Sequence, residues 1–297
     1  MERDPAPLLV TGASGYVGSR LLAELRGRGH AVRALARDPS SKRFAAGVDA
    51  RQGDAVSGAG LPAALKGCRT AYYLIHSMEG AGGDFAARDR QAAVNFGEAA
   101  GAAGVERVIY LGGLEPAGPG ASEHLRSRHE VAELLRQRVP QLVYVRAAMI
   151  IGAGSSSFVM LRDLVSKLPV MITPRWVDTR TQPIAERDLV RALADLAERG
   201  ETPGEVQLGG AEVLTYREMM RRAARAMGRR PPHIVTTPVL SPRLSSYWVS
   251  LFTPYEPGLV RPLVDGLSSE MVVDTLPPSG INDAPLGFDA AVREALR

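Results

Sequence analysis

The spacing of apolar and polar positions changes character halfway along the chain. Over the first 150 residues, short apolar runs alternate with longer stretches whose apolar positions recur every three or four residues. Leu8-Leu9-Val10 reads as a buried strand. The stretch from Ser19 to Gly29 follows as a helix, with Leu21, Leu22 and Leu25 on one face and Gly29 as its stop. Further strands are expected at 31–37, 49–54, 70–75, 105–111 and 142–146, with helices at 61–67, 84–104 and 122–138 between them. Alternation at this spacing implies right-handed βαβ crossovers and a parallel sheet covered on both faces. Beyond Ile151 the rhythm breaks. Helices are expected near 157–168, 186–199 and 215–227, and the stretch from Leu240 to Pro254 gathers aromatic side chains with little charge. The pattern therefore predicts an α/β chain. A Rossmann-type doubly wound parallel sheet spans 1–150, and a smaller, mainly helical C-terminal substrate lobe, partly interleaved with the sheet, spans 151–297.

The first turn is the most informative stretch. Thr11-Gly12-Ala13-Ser14-Gly15-Tyr16-Val17-Gly18 lies between a strand and a helix, the context a dinucleotide fingerprint requires. Gly12 permits the tight turn, Gly15 admits a pyrophosphate to the backbone, and Gly18 lets helix and strand pack closely. The amino end of the helix then faces the phosphates, with Ser14, Tyr16 and Val17 beside them. The second strand suggests which nucleotide. NAD sites place a carboxylate about 20 residues beyond the glycines, on the ribose 2′-hydroxyl. Here Ala36 and Arg37 stand at the strand end, with Lys42 and Arg43 close behind. A guanidinium pairs with a 2′-phosphate in fork geometry, which favours NADP(H). Asp38 is discordant, but Asp38-Pro39 is also an ordinary turn starter, and a solvated basic loop is the plainer reading of Arg37.

Composition narrows the class. With 45% apolar and 23% charged residues the chain reads as globular, and a net charge of +4 over 297 residues gives no case for nucleic acid. No apolar run approaches the length of a membrane span, and the first seven residues lack a signal-peptide core. Cys68 is the only cysteine, so neither a disulfide framework nor a thiolate metal site is expected, and no metal at all. A cytoplasmic protein with a small-molecule substrate is the default. Oligomeric state is left open.

These residues resemble a family. The fingerprint, Gln52-Gly53-Asp54 and the order of six βα units resemble the atypical short-chain dehydrogenase/reductases, in their NmrA-like and extended branches. The segments 73–78, 110–114, 124–131, 169–177 and 243–248 look like a bacterial group described as NAD(P)H-binding proteins. The resemblance implies a Rossmann fold, a C-terminal substrate lobe and a nicotinamide cofactor, with Asp54 and Gly112 among the cofactor-binding positions. Better-known members use a Ser after strand five and a Tyr-x-x-x-Lys pair on the next helix. This sequence departs from all three. Gly112 and Gly113 follow strand five; aligned through Glu133, the Tyr position falls on Leu125 and the Lys position on His129.

Two readings survive that loss. The first is an NADP(H)-dependent oxidoreductase moving hydride to or from a small apolar carbonyl, enone or quinone-like substrate. The second is a non-catalytic NADP(H)-binding sensor or accessory protein. For the first, His129 and His76 are the catalytic candidates, with His129 also holding the nicotinamide ribose. His129 can equally be a surface residue pairing with Glu133, His76 an ordinary strand-end histidine, and His124 solvent-facing. Arg146 at the end of strand six, and Tyr247 and Trp248 in the second lobe, are the substrate candidates, with core roles as the alternative. Ser155-Ser156-Ser157 is expected to cap the following helix.

Overall fold

The computed structural model describes residues 6–41, 44–76, 85–114, 123–237 and 266–297. The chain divides into two compact units: 1–112, 127–145 and 190–206 form one, and 113–126, 146–189 and 207–297 the other.

The first unit is built on a parallel sheet. Its strands are β1 (Leu8–Val10), β2 (Val32–Ala36), β3 (Asp49–Gln52), β4 (Thr70–Tyr73), β5 (Arg107–Gly113), β6 (Gln141–Ala147) and β11 (Glu205–Leu208). Their spatial order is β11-β6-β5-β4-β1-β2-β3, so the winding reverses between β1 and β4. In a doubly wound sheet that reversal opens a crevice at the carboxyl ends of the two strands, where ligands bind. Leu9 and Val10 are wholly buried because helices cover both faces, which explains the unbroken apolar run. Helix α1 (Tyr16–Gly27) turns Gly18, Leu21, Leu22 and Leu25 inward. It ends in a Schellman motif, with Gly29 at φ +87, its N–H on Arg26 O at 2.9 Å and that of His30 on Leu25 O at 3.0 Å.

Two strand expectations need correction. Gly112 and Gly113 are the last residues of β5 rather than the turn after it, and Leu114 N continues the pairing to Ala147 O at 3.0 Å. Glycine reads as a strand end because it weakens strands in general, but here Tyr144 needs the space. A Cβ on Gly112 would stand 2.6 Å from its ring. That ring stacks on Tyr110 with centroids 5.3 Å apart, and the series continues through Tyr73 to Phe96 of α3 (Phe85–Ala102). The seventh strand, β11, was not visible in the six-strand pattern. It follows the helix α6 (Glu186–Glu198), is four residues long and begins on an exposed Glu.

The second unit is packed around Phe158, Leu161, Trp176, Met219, Ala223 and Phe288. These come chiefly from α5 (Ser156–Lys167), α7 (Tyr216–Ala226) and a C-terminal helix Phe288–Ala295. Thr215 and Glu218 form a reciprocal capping box at the start of α7. Ser155 stands at the N-cap position of α5, but contrary to expectation its hydroxyl caps nothing; the site is buried and the backbone alone closes the turn. Six short strands also went unseen in the sequence. β7 (Ile150–Ile151) pairs parallel with β10 (Ile184–Ala185), β8 (Val170–Thr173) parallel with β13 (His233–Thr236), and β9 (Arg180–Thr181) antiparallel with β12 (Leu214–Thr215). Runs of two to four residues are too short to show a period. No described helix is long and apolar enough to cross a membrane.

One carboxyl in this unit makes stability depend on pH. Burial and then Glu294 push Glu186, at the start of α6, up to about 7 from the ordinary 4.5. The unfolded chain releases this proton first, so stability is expected to fall as pH rises from 4.5 to about 7. Glu186→Gln should flatten that decline. Because Glu186 is only half buried, the effect is about 1 kcal/mol, roughly 2–4 °C in Tm. Parallel Tm–pH curves for variant and parent would exclude it.

Candidate cofactor-binding site

The fingerprint turn leaves β1 at the reversal point of the sheet. Thr11 fixes it there. Its Oγ1 donates to Tyr72 O and accepts from Leu74 N, both at 3.0 Å, so the ends of β1 and β4 are tied through one buried side chain. A threonine beside a glycine turn carries no distinct sequence signal for this tie.

Each glycine has a separate physical requirement. Gly12 has φ +61, and a Cβ there would lie 2.8 Å from Leu74 O. At Gly18 a Cβ would lie 2.3 Å from Gly12 O, so α1 can approach the turn only without a side chain. Gly15 differs. Its φ of −75 and ψ of 173 suit any residue, and a Cβ would meet only Gly12 O, at 3.1 Å. Gly15 is exposed, as is Ser14. Conformation does not require glycine at this position; the close approach to Gly12 O is the one internal constraint on a side chain.

Gly15 is the N-cap of α1, supplies no side-chain cap, and no acidic residue lies in the first turn. The N–H groups of Tyr16, Val17 and Gly18 open the helix, and its positive end is not offset by any carboxylate in that turn. Tyr16 and Val17 are half buried, and Arg20 lays its guanidinium over the Tyr16 ring, 4.2 Å from the centroid. A helix start of this kind has the donors to hold a diphosphate.

At the end of β2, Ala36 is buried and Arg37 exposed. Arg37 O accepts from Gln52 Nε2 at 3.1 Å, and its guanidinium has no partner among the described residues. The discordant Asp38 is taken up by its own turn. It accepts from Ser40 N, Ser40 Oγ and Ser41 N at 3.0, 2.6 and 3.3 Å, and these bonds hold its carboxyl below the usual range. Lys42 and Arg43 lie outside the described residues. Asp54 is half buried and accepts from Val56 N at 2.9 Å, closing the turn after β3. Gly112, as above, makes room for Tyr144.

His76 lies three residues beyond the end of β4 and is exposed. His129 is exposed on α4 (Glu123–Arg136), where Glu133 accepts from Arg136. Leu125, in the Tyr position, is buried, and its Cδ2 would be 3.0 Å from a Cβ on Gly113. The two positions that would carry hydroxyls are thus in apolar contact. The strand tyrosines are no substitute. Tyr72 donates to Leu193 O at 2.9 Å and Tyr110 to Arg128 O at 3.2 Å. Burial pushes Tyr110 up to about 12 and Tyr72 and Tyr73 further. Arg146, near the end of β6, is half buried. Tyr247, Trp248 and the side chain of His124 lie outside the described residues. Cys68 is buried, its thiol pushed up by desolvation.

The doubly wound sheet, with a glycine turn leading from its first strand into its first helix, is a Rossmann-like α/β fold. Residues 12–156 match the model of a family described as NAD(P)H-binding. Among named relatives, the 3 beta-hydroxysteroid dehydrogenase/Delta 5→4-isomerase of Mycobacterium tuberculosis is 36% identical over 112 residues, 35% of this chain. That match spans 30% of the relative's length. The 3-beta-hydroxysteroid dehydrogenase of Mycolicibacterium neoaurum is 26% identical over 91% of this chain and 83% of its own. The Citrobacter sp. triphenylmethane reductase complexed with NADP(H) shares the fold with a TM-score of 0.73, at 16% identity over 97% of this chain and 99% of that one.

Proposed function

We propose that this protein is an NADP(H)-dependent oxidoreductase that moves hydride to or from a small apolar carbonyl, enone or quinone-like substrate without a Ser-Tyr-Lys triad. The observation that carries the reading is Gly15, exposed at the N-cap of α1 where the helix opens without a carboxylate in its first turn. The bound nicotinamide supplies the hydride; the chain binds, orients and handles protons. The turn 12–18 and the first N–H groups of α1 hold the diphosphate, and Arg37 faces the 2′-phosphate. Asp54 closes the turn after β3 beside the adenosine end. His129 supports the ribose in place of a lysine, and His76 or His129 exchanges the substrate proton. Arg146, Tyr247 and Trp248 are assigned to the substrate. The relatives named as steroid dehydrogenases support an apolar alcohol or ketone. A cytoplasmic setting fits this cofactor.

One observation favours the second reading, a non-catalytic NADP(H) sensor or accessory protein: the Gly113–Leu125 contact leaves no hydroxyl at either position. The two readings separate in one experiment. Purified protein is titrated with NADPH, then assayed for NADPH oxidation against a panel of quinones, enones, ketones and aldehydes. Tight binding with no turnover of any acceptor selects the sensor.

Cofactor choice gives a further expectation. NADPH should bind tenfold to a hundredfold more tightly than NADH, about 1.5–3 kcal/mol for a charge-assisted fork. Arg37→Ala should erase the difference without unfolding the chain. Equal or tighter NADH binding by calorimetry would rule the assignment out.

A further inference from the structure

The outer surface of α7 and of the β8–β13 ribbon takes no part in the chemistry above. From Arg217 to Arg230 the chain holds six arginines and one carboxylate, Glu218. Arg217 is committed to Asp178 at 2.6 Å, and Arg222 to Glu212 and Asp289 at 2.6 and 2.8 Å. Arg229 donates to Ser166 O at 2.9 Å, which leaves its charge unneutralised. Arg221, Arg225 and Arg230 are exposed and have no hydrogen bond or ion pair among the described residues. Asp178 feels Arg221 as well as Arg217, and Glu218 is engaged in the capping box. Arg217, Arg221 and Arg225 recur every four residues, so like charges stack along one helical stripe, an arrangement that opposes helix stability.

Arg217, at the start of that stripe, touches a ribbon that carries exposed aliphatic residues. Arg217 donates to Ile234 O at 2.9 Å and to Thr236 Oγ1, which sets the start of α7 against the end of β13. The chain then returns from Gly228 through Arg229 and Arg230 into β13 at His233. Met171 and Ile234 face the core with Met219 and Ala223. The alternate positions face out: Val170 and Ile172 are each 56% exposed and Val235 is 44% exposed. Val170 lies opposite His233, and Ile172 opposite Val235, so the four outward side chains form one patch. Exposed ribbons of this kind ordinarily carry charged residues that keep other chains away.

We propose that this surface docks the protein on anionic lipid bilayers, with Val170, Ile172 and Val235 entering the headgroup layer and Arg221, Arg225 and Arg230 pairing with lipid phosphates. Cationic side chains on α7 and on the segment leading into β13, together with the exposed aliphatic residues of the ribbon, match a surface that is charged outside and apolar a few ångströms below. Nucleic acid offers phosphates but no partner for the aliphatic residues. The docking is independent of the hydride chemistry.

The test is co-sedimentation of the full chain with vesicles of phosphatidylcholine alone, or of phosphatidylcholine with phosphatidylglycerol. Binding is expected only to the anionic vesicles and should weaken as salt rises from about 0.05 to 0.5 M. Each arginine contributes about fivefold to partitioning, so the Arg221→Gln, Arg225→Gln, Arg230→Gln triple variant should lose about a hundredfold. Ile172→Ser with Val235→Ser should also lose binding while keeping all the charge. NADPH titration and circular dichroism of both variants should match the parent, which shows that they fold. Absence of binding to anionic vesicles at low salt overturns the proposal. So does binding that needs the arginines but not Ile172 and Val235, which would mark an acidic macromolecule as the partner instead.

Discussion

Gly15→Val is expected to abolish dinucleotide binding, a loss of at least about a hundredfold in affinity, while Tm stays within about 4 °C of the parent. The backbone at Gly15 is already extended, so valine can adopt it without entering the left-handed region. Within the protein a Cβ meets only Gly12 O at 3.1 Å, a contact relieved by a few tenths of an ångström. The two methyl groups then project outward over the N–H groups of Tyr16, Val17 and Gly18, where the diphosphate must come within hydrogen-bond reach. Gly18→Ala is the contrasting case. Its Cβ would stand 2.3 Å from Gly12 O, so α1 must shift, and both binding and stability should fall. Calorimetry with NADPH and thermal unfolding of the two variants separate a ligand requirement from a packing requirement. If Gly15→Val binds NADPH normally, the turn is structural and the cofactor assignment fails with it.

The first unit was legible because its signals are local and repeated. Buried parallel strands require apolar runs, α1 requires its leucine stripe, and Gly12 and Gly18 are glycine for reasons visible in the order strand, turn, helix. The corrections came where one residue answers to a distant one. Gly112 reads as the end of a strand until Tyr144, 32 positions later, is found in its place. Thr11 reads as a turn residue until its hydroxyl is seen joining Tyr72 and Leu74. In the second unit Ile150–Ile151, Ile184–Ala185 and Arg180–Thr181 are strands only because partners far along the chain complete them. Of the candidate site, the glycine turn between β1 and α1 and the exposed position of Arg37 after β2 followed from spacing. The turn role of Asp38 was legible too: Asp38-Pro39 reads as a turn starter, and its carboxylate accepts from Ser40 N and Ser41 N.

Replacing His129 or His76 by Gln is expected to slow single-turnover hydride transfer by about 10²–10⁴, whereas Phe at Tyr72, Tyr73 or Tyr110 should leave it nearly unchanged. The three phenols are buried, and desolvation holds each above its ordinary range, Tyr110 at about 12 and the others further, so none releases or takes a proton near neutrality. Tyr72→Phe and Tyr110→Phe should instead cost stability, about 1 kcal/mol for each lost hydrogen bond, because their hydroxyls serve Leu193 O and Arg128 O. Both histidines are exposed. His76 follows β4 at the sheet reversal; His129 is one helical turn beyond Leu125. The histidine that exchanges the substrate proton should, when replaced, remove a pH dependence near neutrality from the hydride step. One that only supports the ribose should weaken NADPH binding and leave the pH profile in place. Cofactor affinity and the pH profile must therefore be measured beside the rate in every variant. Full rate in both histidine variants would assign proton exchange to water and remove both residues from the chemistry. A tyrosine variant that lost the rate but kept its fold and its NADPH affinity would overturn the assignment altogether.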